Sequence, residues 1–298
     1  MRTLAAILLV IGVMVTGQAN AMPWDKPRTA IVLAFDPEWD ALLPHMTDAK
    51  TEIHDGVTYV TGNIGDEPVV MALSGVSMVN AAMNTQRLLG HFKVSRIVMS
   101  GIAGGVDPAL NIGDIVVADA WSQPMETLTA RETPEGYIPP AWLWGMAKKP
   151  NFGIFLPRQV RIGATDYDNF PADADLVAIA HKLEPMALKQ CVSDTLCLEH
   201  APKVVVGGEG VSAASFIDNA DYRKYLHTAF AARVTDMESA AVAQVAFANT
   251  VPFIAFRSLS DLAGGDADVN QMMAFMTLAS ENSAAVVVAF VKALPRED

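Results

Sequence analysis

The chain has 298 residues, of which 51% are hydrophobic and 18% charged, so it holds enough apolar residues for a sizeable core and too few charges for a disordered chain. Its formal charge is −12. An acidic body repels phosphate backbones and anionic lipid, which argues against nucleic acid and membrane surfaces as partners and leaves a neutral or cationic small molecule.

The N-terminus reads as a targeting segment. Arg2 supplies the positive charge, Leu4 to Val15 is an almost unbroken apolar run, and Ala19-Asn20-Ala21 matches the small-x-small cleavage pattern. Cleavage after Ala21 is expected, giving an exported protein, periplasmic or secreted, with residues 22–298 as a single domain. An uncleaved anchor is the competing reading, and the short apolar run favours cleavage. No other stretch reads as a membrane span; Ser283 to Leu294 reads as a core-facing C-terminal helix.

Arg28 to Phe35 has no polar face and predicts a strand buried on both sides. Asp36-Pro37 reads as an N-cap and first helical residue, opening a helix to about His45. Thr58 to Asn63 and Pro68 to Leu73 predict a hairpin around Gly65-Asp66. Ser77 to Phe92 has helical spacing. Arg96 to Ser100 is an apolar strand ending in a glycine-rich turn, Gly101 to Gly105, whose spacing is not that of a dinucleotide fingerprint. Ile115 to Ala118 is a further strand.

Residues 120–200 are irregular and rich in proline, with one helix near Ala172 to Leu183, and read as an insertion. Cys191 and Cys197, the only cysteines, suit a short-loop disulfide in an exported protein, with free buried thiols as the alternative. Six histidines are scattered without ligand spacing, so no metal site is expected, nor any organic cofactor. Lys203 to Val206 predicts a strand, Asn219 to Phe230 a helix, Asp236 to Ala248 a helix, Pro252 to Ser258 a strand and Asn270 to Leu294 a helix, broken once at most. Alternating strands and helices predict a three-layer α/β/α sandwich around a parallel or mixed sheet.

Three carboxylates could carry chemistry. Glu38 lies just past the first strand, where a helix dipole alone would favour it or where it could take a proton from water. Glu238 completes a capping-box pattern, Thr235-Asp-Met-Glu238. Asp261 follows a dry strand beside Ser258 and Ser260; desolvation there would raise its pKa and suit it to donate a proton.

These pieces together resemble the nucleoside phosphorylase and nucleosidase superfamily. The resemblance rests on Ser100-Gly-Ile-Ala-Gly-Gly105, Ile112-Gly-Asp-Ile-Val-Val117, Val234-Thr-Asp-Met-Glu-Ser-Ala-Ala241 and Arg257-Ser-Leu-Ser-Asp261. It is strongest to the 5′-methylthioadenosine/S-adenosylhomocysteine nucleosidases, and it runs from about Arg28 to Leu294, unclear over 120–200. It implies that Asp261 is the general acid to N7 of a purine, oriented by Ser260, and that Glu38 polarises the attacking water. Glu238 would hold the ribose hydroxyls, Met237 would pack under the ribose, and Ala103 and Gly104 would line the sugar side. Phe216 would stack on the base and Ile217 would offer backbone hydrogen bonds. A homodimer is implied as well. Family phosphorylases carry Gly-Asp-Pro-x-Arg after the first strand and an arginine where Met99 stands; here Glu38-Trp39 follows Asp36-Pro37. That favours water over phosphate as nucleophile. A phosphorylase using Arg87 or Arg257, and a binding or storage protein with a silent pocket, are the alternatives.

Overall fold

The apolar run after Arg28 forms β1 (Arg28–Leu33), and its side chains alternate between two cores: Ala30 and Val32 pack on one side, Ile31 and Leu33 on the other. This is the two-faced burial expected of a central strand flanked by helices. The computed structural model describes residues 26–143, 145 and 148–295. The expected leader, residues 1–21, lies outside the described residues.

After β1 come α1 (Asp36–Leu42), β2 (Thr47–His54), β3 (Val57–Ile64), β4 (Glu67–Leu73), α2 (Met78–His91) and β5 (Val94–Gly105). Next are β6 (Ile115–Val117), β7 (Ala120–Ser122), β8 (Phe170–Pro171), α3 (Ala174–Ala180), β9 (Val204–Val206) and β10 (Glu209–Ser212). The chain closes with α4 (Ala220–Phe230), β11 (Ala232–Asp236), α5 (Ser239–Ala248), β12 (Phe253–Asp261) and α6 (Met272–Ala293).

These twelve strands form one mixed sheet that divides at β5. On one side, β5 runs parallel to β1, which is parallel to β4, and β3 and β2 add antiparallel strands beyond it. On the other side, β12 runs parallel to β5, β6 is antiparallel to β12, and β9 is parallel to β6. Past the end of β1, the tip of β5 changes partner: Gly104 and Gly105 pair antiparallel with Thr235 and Val234 of β11, which continues to β10, β7 and β8. The helices α2 and α5 cover one face of the sheet, and α1, α3 and α6 cover the other, giving the three-layer α/β/α arrangement.

Several elements differ from the sequence reading. The glycines after Ser100 are not a turn; β5 runs through them to Gly105 because β12 and β11 supply ladder partners there. The helix expected from Asp236 begins at Ser239, since residues 232–236 are spent as strand β11. α6 is unbroken, and by length and composition it could cross a membrane, contrary to the expectation that no second stretch would; two thirds of its most apolar window is nevertheless buried inside the protein. Its buried Ser283 ties it to the sheet, bonding Ser100 Oγ at 2.9 Å, accepting from Gly101 N and donating to Phe256 O. Within 120–200, β7 and β8 belong to the main sheet, α3 forms within the expected helix, and small antiparallel pairs occupy much of the rest. One of these, 191–197, carries the disulfide between Cys191 and Cys197.

Candidate active site

Phe35, in extended conformation, is the residue that precedes α1, so Asp36 is the first helical residue and not the cap the sequence suggested. One turn in, Glu38 points back into the protein and is only 2% exposed. Its Oε2 accepts from Ala34 N at 2.6 Å and its Oε1 from Ile102 N at 2.9 Å, so the carboxylate joins the tip of β1 to β5. Burial raises its pKa, against the opposing pull of Arg257 and the two backbone donors.

Arg257, in the middle of β12, is fully buried. A cation there must be paired. Its Nε lies 2.7 Å from Asp236 Oδ2, its Nη2 3.3 Å from Glu238 Oε2 and its Nη1 3.7 Å from Glu38 Oε1. Burial alone would lower the guanidinium pKa; Asp236, Glu238 and Glu38 outweigh it and hold the pKa up. Gly101 is required by this cluster, because a Cβ there would overlap both Arg257 Nη1 and Glu38 Oε1.

The capping box expected at Thr235 and Glu238 is absent. Glu238 is the residue that precedes α5 but its side chain makes no cap bond; Asp236, two residues earlier, serves the helix start instead, its Oδ1 accepting from Glu238 N and Ser239 N, both at 3.1 Å, and its carboxylate also taking the hydroxyls of Ser212 and Ser239. Thr235 Oγ1 has no partner among the described residues. Glu238 is thereby released from capping. Its Oε1 accepts from Ser77 N at 2.8 Å, and its Oε2 faces Arg257. Burial pushes Glu238 up to about 7 despite Arg257. Three acids share a single guanidinium, and the surplus negative charge favours keeping one of them protonated.

Asp261 ends β12 and is 2% exposed. Its Oδ1 accepts from Ala263 N at 2.9 Å and Asn270 Nδ2 at 3.4 Å, and its Oδ2 from Ser260 Oγ at 2.9 Å. Burial still raises its pKa over these donors. Gly104 sits against it, with room for a Cβ only 3.0 Å from Asp261 Oδ1.

A cavity of about 250 Å³ opens between these groups, and every expected site residue lines it: Glu38, Ala103, Gly104, Phe216, Ile217, Met237, Glu238, Ser260 and Asp261. The wall also includes Asp236, which sequence reasoning overlooked. Arg257 entered the sequence reading only under the phosphorylase alternative; the signal for its pairing was a charge in the middle of an apolar strand. Asn270 was read only as the start of the last helix; that helix begins at Met272, and Asn270 stands in the loop before it. Among the described residues, no group of three or more His, Cys, Asp or Glu side chains is set to hold a metal ion.

A concave, mostly apolar pocket at the carboxyl ends of strands in an α/β sheet, with a few converging acids, defines a small-molecule site of the kind enzymes use. Residues 28–292 match the phosphorylase superfamily, and the chain belongs to that family. The 5′-methylthioadenosine/S-adenosylhomocysteine nucleosidase of Bacillus thuringiensis (strain Al Hakam) is 29% identical over 245 residues, covering 82% of this chain and 89% of the relative. The nucleosidase of S. pneumoniae, solved with the transition-state inhibitor MT-ImmA, superposes with a TM-score of 0.70 at 26% identity, covering 90% of this chain and all of the other. The S-adenosylhomocysteine nucleosidase of Streptococcus pyogenes in complex with 5-methylthiotubericidin gives 0.69 at 27% identity, covering 93% and 100%.

Proposed function

We propose that the protein is a nucleosidase that hydrolyses the N-glycosidic bond of adenine nucleosides such as 5′-methylthioadenosine or S-adenosylhomocysteine. The observation that carries this reading is one cavity with a protonatable Asp261 at one end and the Glu38–Glu238 pair at the other. Asp261 gives its proton to N7 of the purine as the bond from the anomeric carbon to the base breaks, so the electron pair leaves on a neutral base. Ser260 steadies the carboxyl from Oδ2. Phe216 stacks on the base and the Ile217 backbone bonds its edge. Met237 packs beneath the ribose, Ala103 and Gly104 line the sugar side, and Glu238 holds the ribose hydroxyls as positive charge develops. Glu38 takes a proton from the water that adds to the anomeric carbon; a pKa raised by burial brings a carboxylate base nearer to neutral pH, where general-base catalysis works best. These contacts strengthen as charge develops, so they lower the barrier and do more than tighten binding.

Water is the nucleophile in this reading because, among the described residues, no arginine or lysine lines the cavity, and a phosphate dianion would face carboxylates. Arg257 is committed to three acids, and Arg87 bonds Asn84 on α2 and does not line the cavity. The test is purified protein with a panel of nucleosides, with and without phosphate, monitored for free base and free sugar. Release of adenine independent of phosphate is expected. Dependence on phosphate would make it a phosphorylase, and binding without release over hours a storage protein.

Two further features belong to the same proposal. The protein acts after export, so the mature form begins at Met22, which N-terminal sequencing of secreted protein would read; a start at Met1 would refute it. It works as a homodimer, a reading supported by exposed Val79 and Met83 on α2 beside the cavity residue Val76. Sedimentation at a monomer's mass would overturn that.

A further inference from the structure

A second cavity, of about 460 Å³, lies on the other side of the Ser215-Phe216-Ile217 loop, which walls both cavities. Aromatic rings make its opposite side. Phe152 meets Tyr222 edge-on at 4.9 Å and Tyr225 at 5.1 Å, and the two tyrosines stack at 5.6 Å. Tyr225 OH donates to Pro150 O at 2.8 Å, pinning the 150–157 segment to α4. Burial drives the pKa of Tyr222 up to about 12 and that of Tyr225 upward as well, so both phenols stay neutral. Among the described residues, Asp218 is the one charged residue in the lining. The chamber suits an apolar or aromatic group, and it is about three times the ~150 Å³ that holds benzene in an engineered cavity.

Its position relative to the site decides what it could take. Asn270 Nδ2 bonds both Asp261 Oδ1 at 3.4 Å and Asp218 Oδ1 at 3.2 Å, so the chamber adjoins the end of the site where Asp261 stands. Glu38, Met237 and Glu238 do not line it. With purine N7 at Asp261, the neighbouring exocyclic 6-position lies on the same edge of the base. Phe216 between the cavities is 51% exposed, and exposed rings change rotamer quickly.

We propose that this second cavity is a subsite for a bulky apolar or aromatic group on the 6-amino nitrogen of the leaving purine, making N6-substituted adenine nucleosides a substrate class of the enzyme. This deepens the nucleosidase reading and rests on it. The wall that the two cavities share at the base-side loop, with the Asn270 bridge from Asp261 to Asp218, carries the inference, and the aromatic lining sets the chemistry.

The test compares adenosine with N6-benzyladenosine in the wild type and in Phe155→Ala, a half-exposed chamber residue that does not line the first cavity. Burying a benzyl group should lower KM about tenfold relative to adenosine. Phe155→Ala should raise KM for N6-benzyladenosine about fivefold and leave adenosine within about twofold, the loss being part of one ring's contact area. An N6-benzyl nucleoside cleaved tenfold or more worse than adenosine overturns the inference. So does an equal effect of Phe155→Ala on both substrates, or a change in sedimentation with no effect on either, which would assign the chamber to a second copy of the chain. If neither nucleoside is hydrolysed, the nucleosidase reading fails by itself, and binding of the free bases decides. N6-benzyladenine bound tenfold more tightly than adenine upholds the subsite; equal or weaker binding overturns it.

Discussion

Replacing Asp261 by Asn separates chemistry from folding. The asparagine oxygen can keep the bonds from Ala263 N and Asn270 Nδ2, and its amide can donate to Ser260 Oγ, which also lies 3.4 Å from Ala103 O as an alternative acceptor. What is lost is the charge-assisted part of those bonds, on the order of 1 kcal/mol, offset by no longer burying a carboxylate. Stability should stay within about 1 kcal/mol, a shift of roughly 2–4 °C in Tm for a chain this large. Activity should fall far more. General acid catalysis is worth ~10²–10⁴-fold, which at ~1.4 kcal/mol per tenfold raises the barrier by about 3–6 kcal/mol. Adenine release by chromatography, with Tm measured on the same preparation, tests both halves. A folded variant releasing adenine within tenfold of the wild-type rate would refute the role of Asp261. The wild-type rate should also decline with rising pH as Asp261 loses its proton, and its raised pKa moves that decline to higher pH than an ordinary aspartate would give.

The remaining predictions concern the charge cluster and the disulfide. Glu238 binds its proton more tightly folded, with a pKa near 7, than unfolded, with a pKa near 4.5, so its contribution to stability is complete below the lower value and disappears as pH rises through the upper one. Thermal melts from pH 5 to 8 should show this decline, and Glu238→Gln should flatten it; an unchanged slope would refute it. Arg257→Met would leave three buried acids without their cation and should destabilise the fold by about 3–5 kcal/mol in urea unfolding; a loss under 1 kcal/mol would contradict the pairing. Gly101→Ala forces a methyl group into Arg257 and Glu38, so about 1–3 kcal/mol of stability and most of the activity should be lost, as read by melts and turnover. Reducing the Cys191–Cys197 bond should cost about 2 kcal/mol, from the entropy of a short loop, and leave turnover unchanged, since neither cysteine lines the candidate site; loss of turnover in folded, reduced protein would show that the link reaches further.

The central strands were legible because burial on both faces leaves an apolar run with no alternation, as in β1 and the Phe253–Phe256 part of β12. β2 was not legible. Thr47–His54 is an exposed edge with few apolar residues, and it is a strand because β3 offers a ladder. β11 was not legible either: residues 232–235 fell between two expected helices, and Asp236 was read as the start of the second because one aspartate can both end a strand and accept from the first amides of a helix. Six of the nine expected residues of the candidate site emerged from the resemblance, while local chemistry had already singled out Glu38, Glu238 and Asp261. Local chemistry alone left Glu38 and Glu238 with structural explanations as good as functional ones. The charge balance around Arg257 depends on contacts between residues some 20 to 220 positions apart, and no local pattern encodes it.

The change of partner at the tip of β5 has a consequence for when activity first arises. Glu38 reaches its seat only against Ile102, Asp261 only once β12 has joined β5, and Glu238 only once Thr235 has found Gly104. Each of these closures spans a long stretch of chain, the kind of contact that forms late. A chain bound for export, as proposed above, is therefore chemically silent while it remains extended, and its first turnover reports that the last pairings have closed.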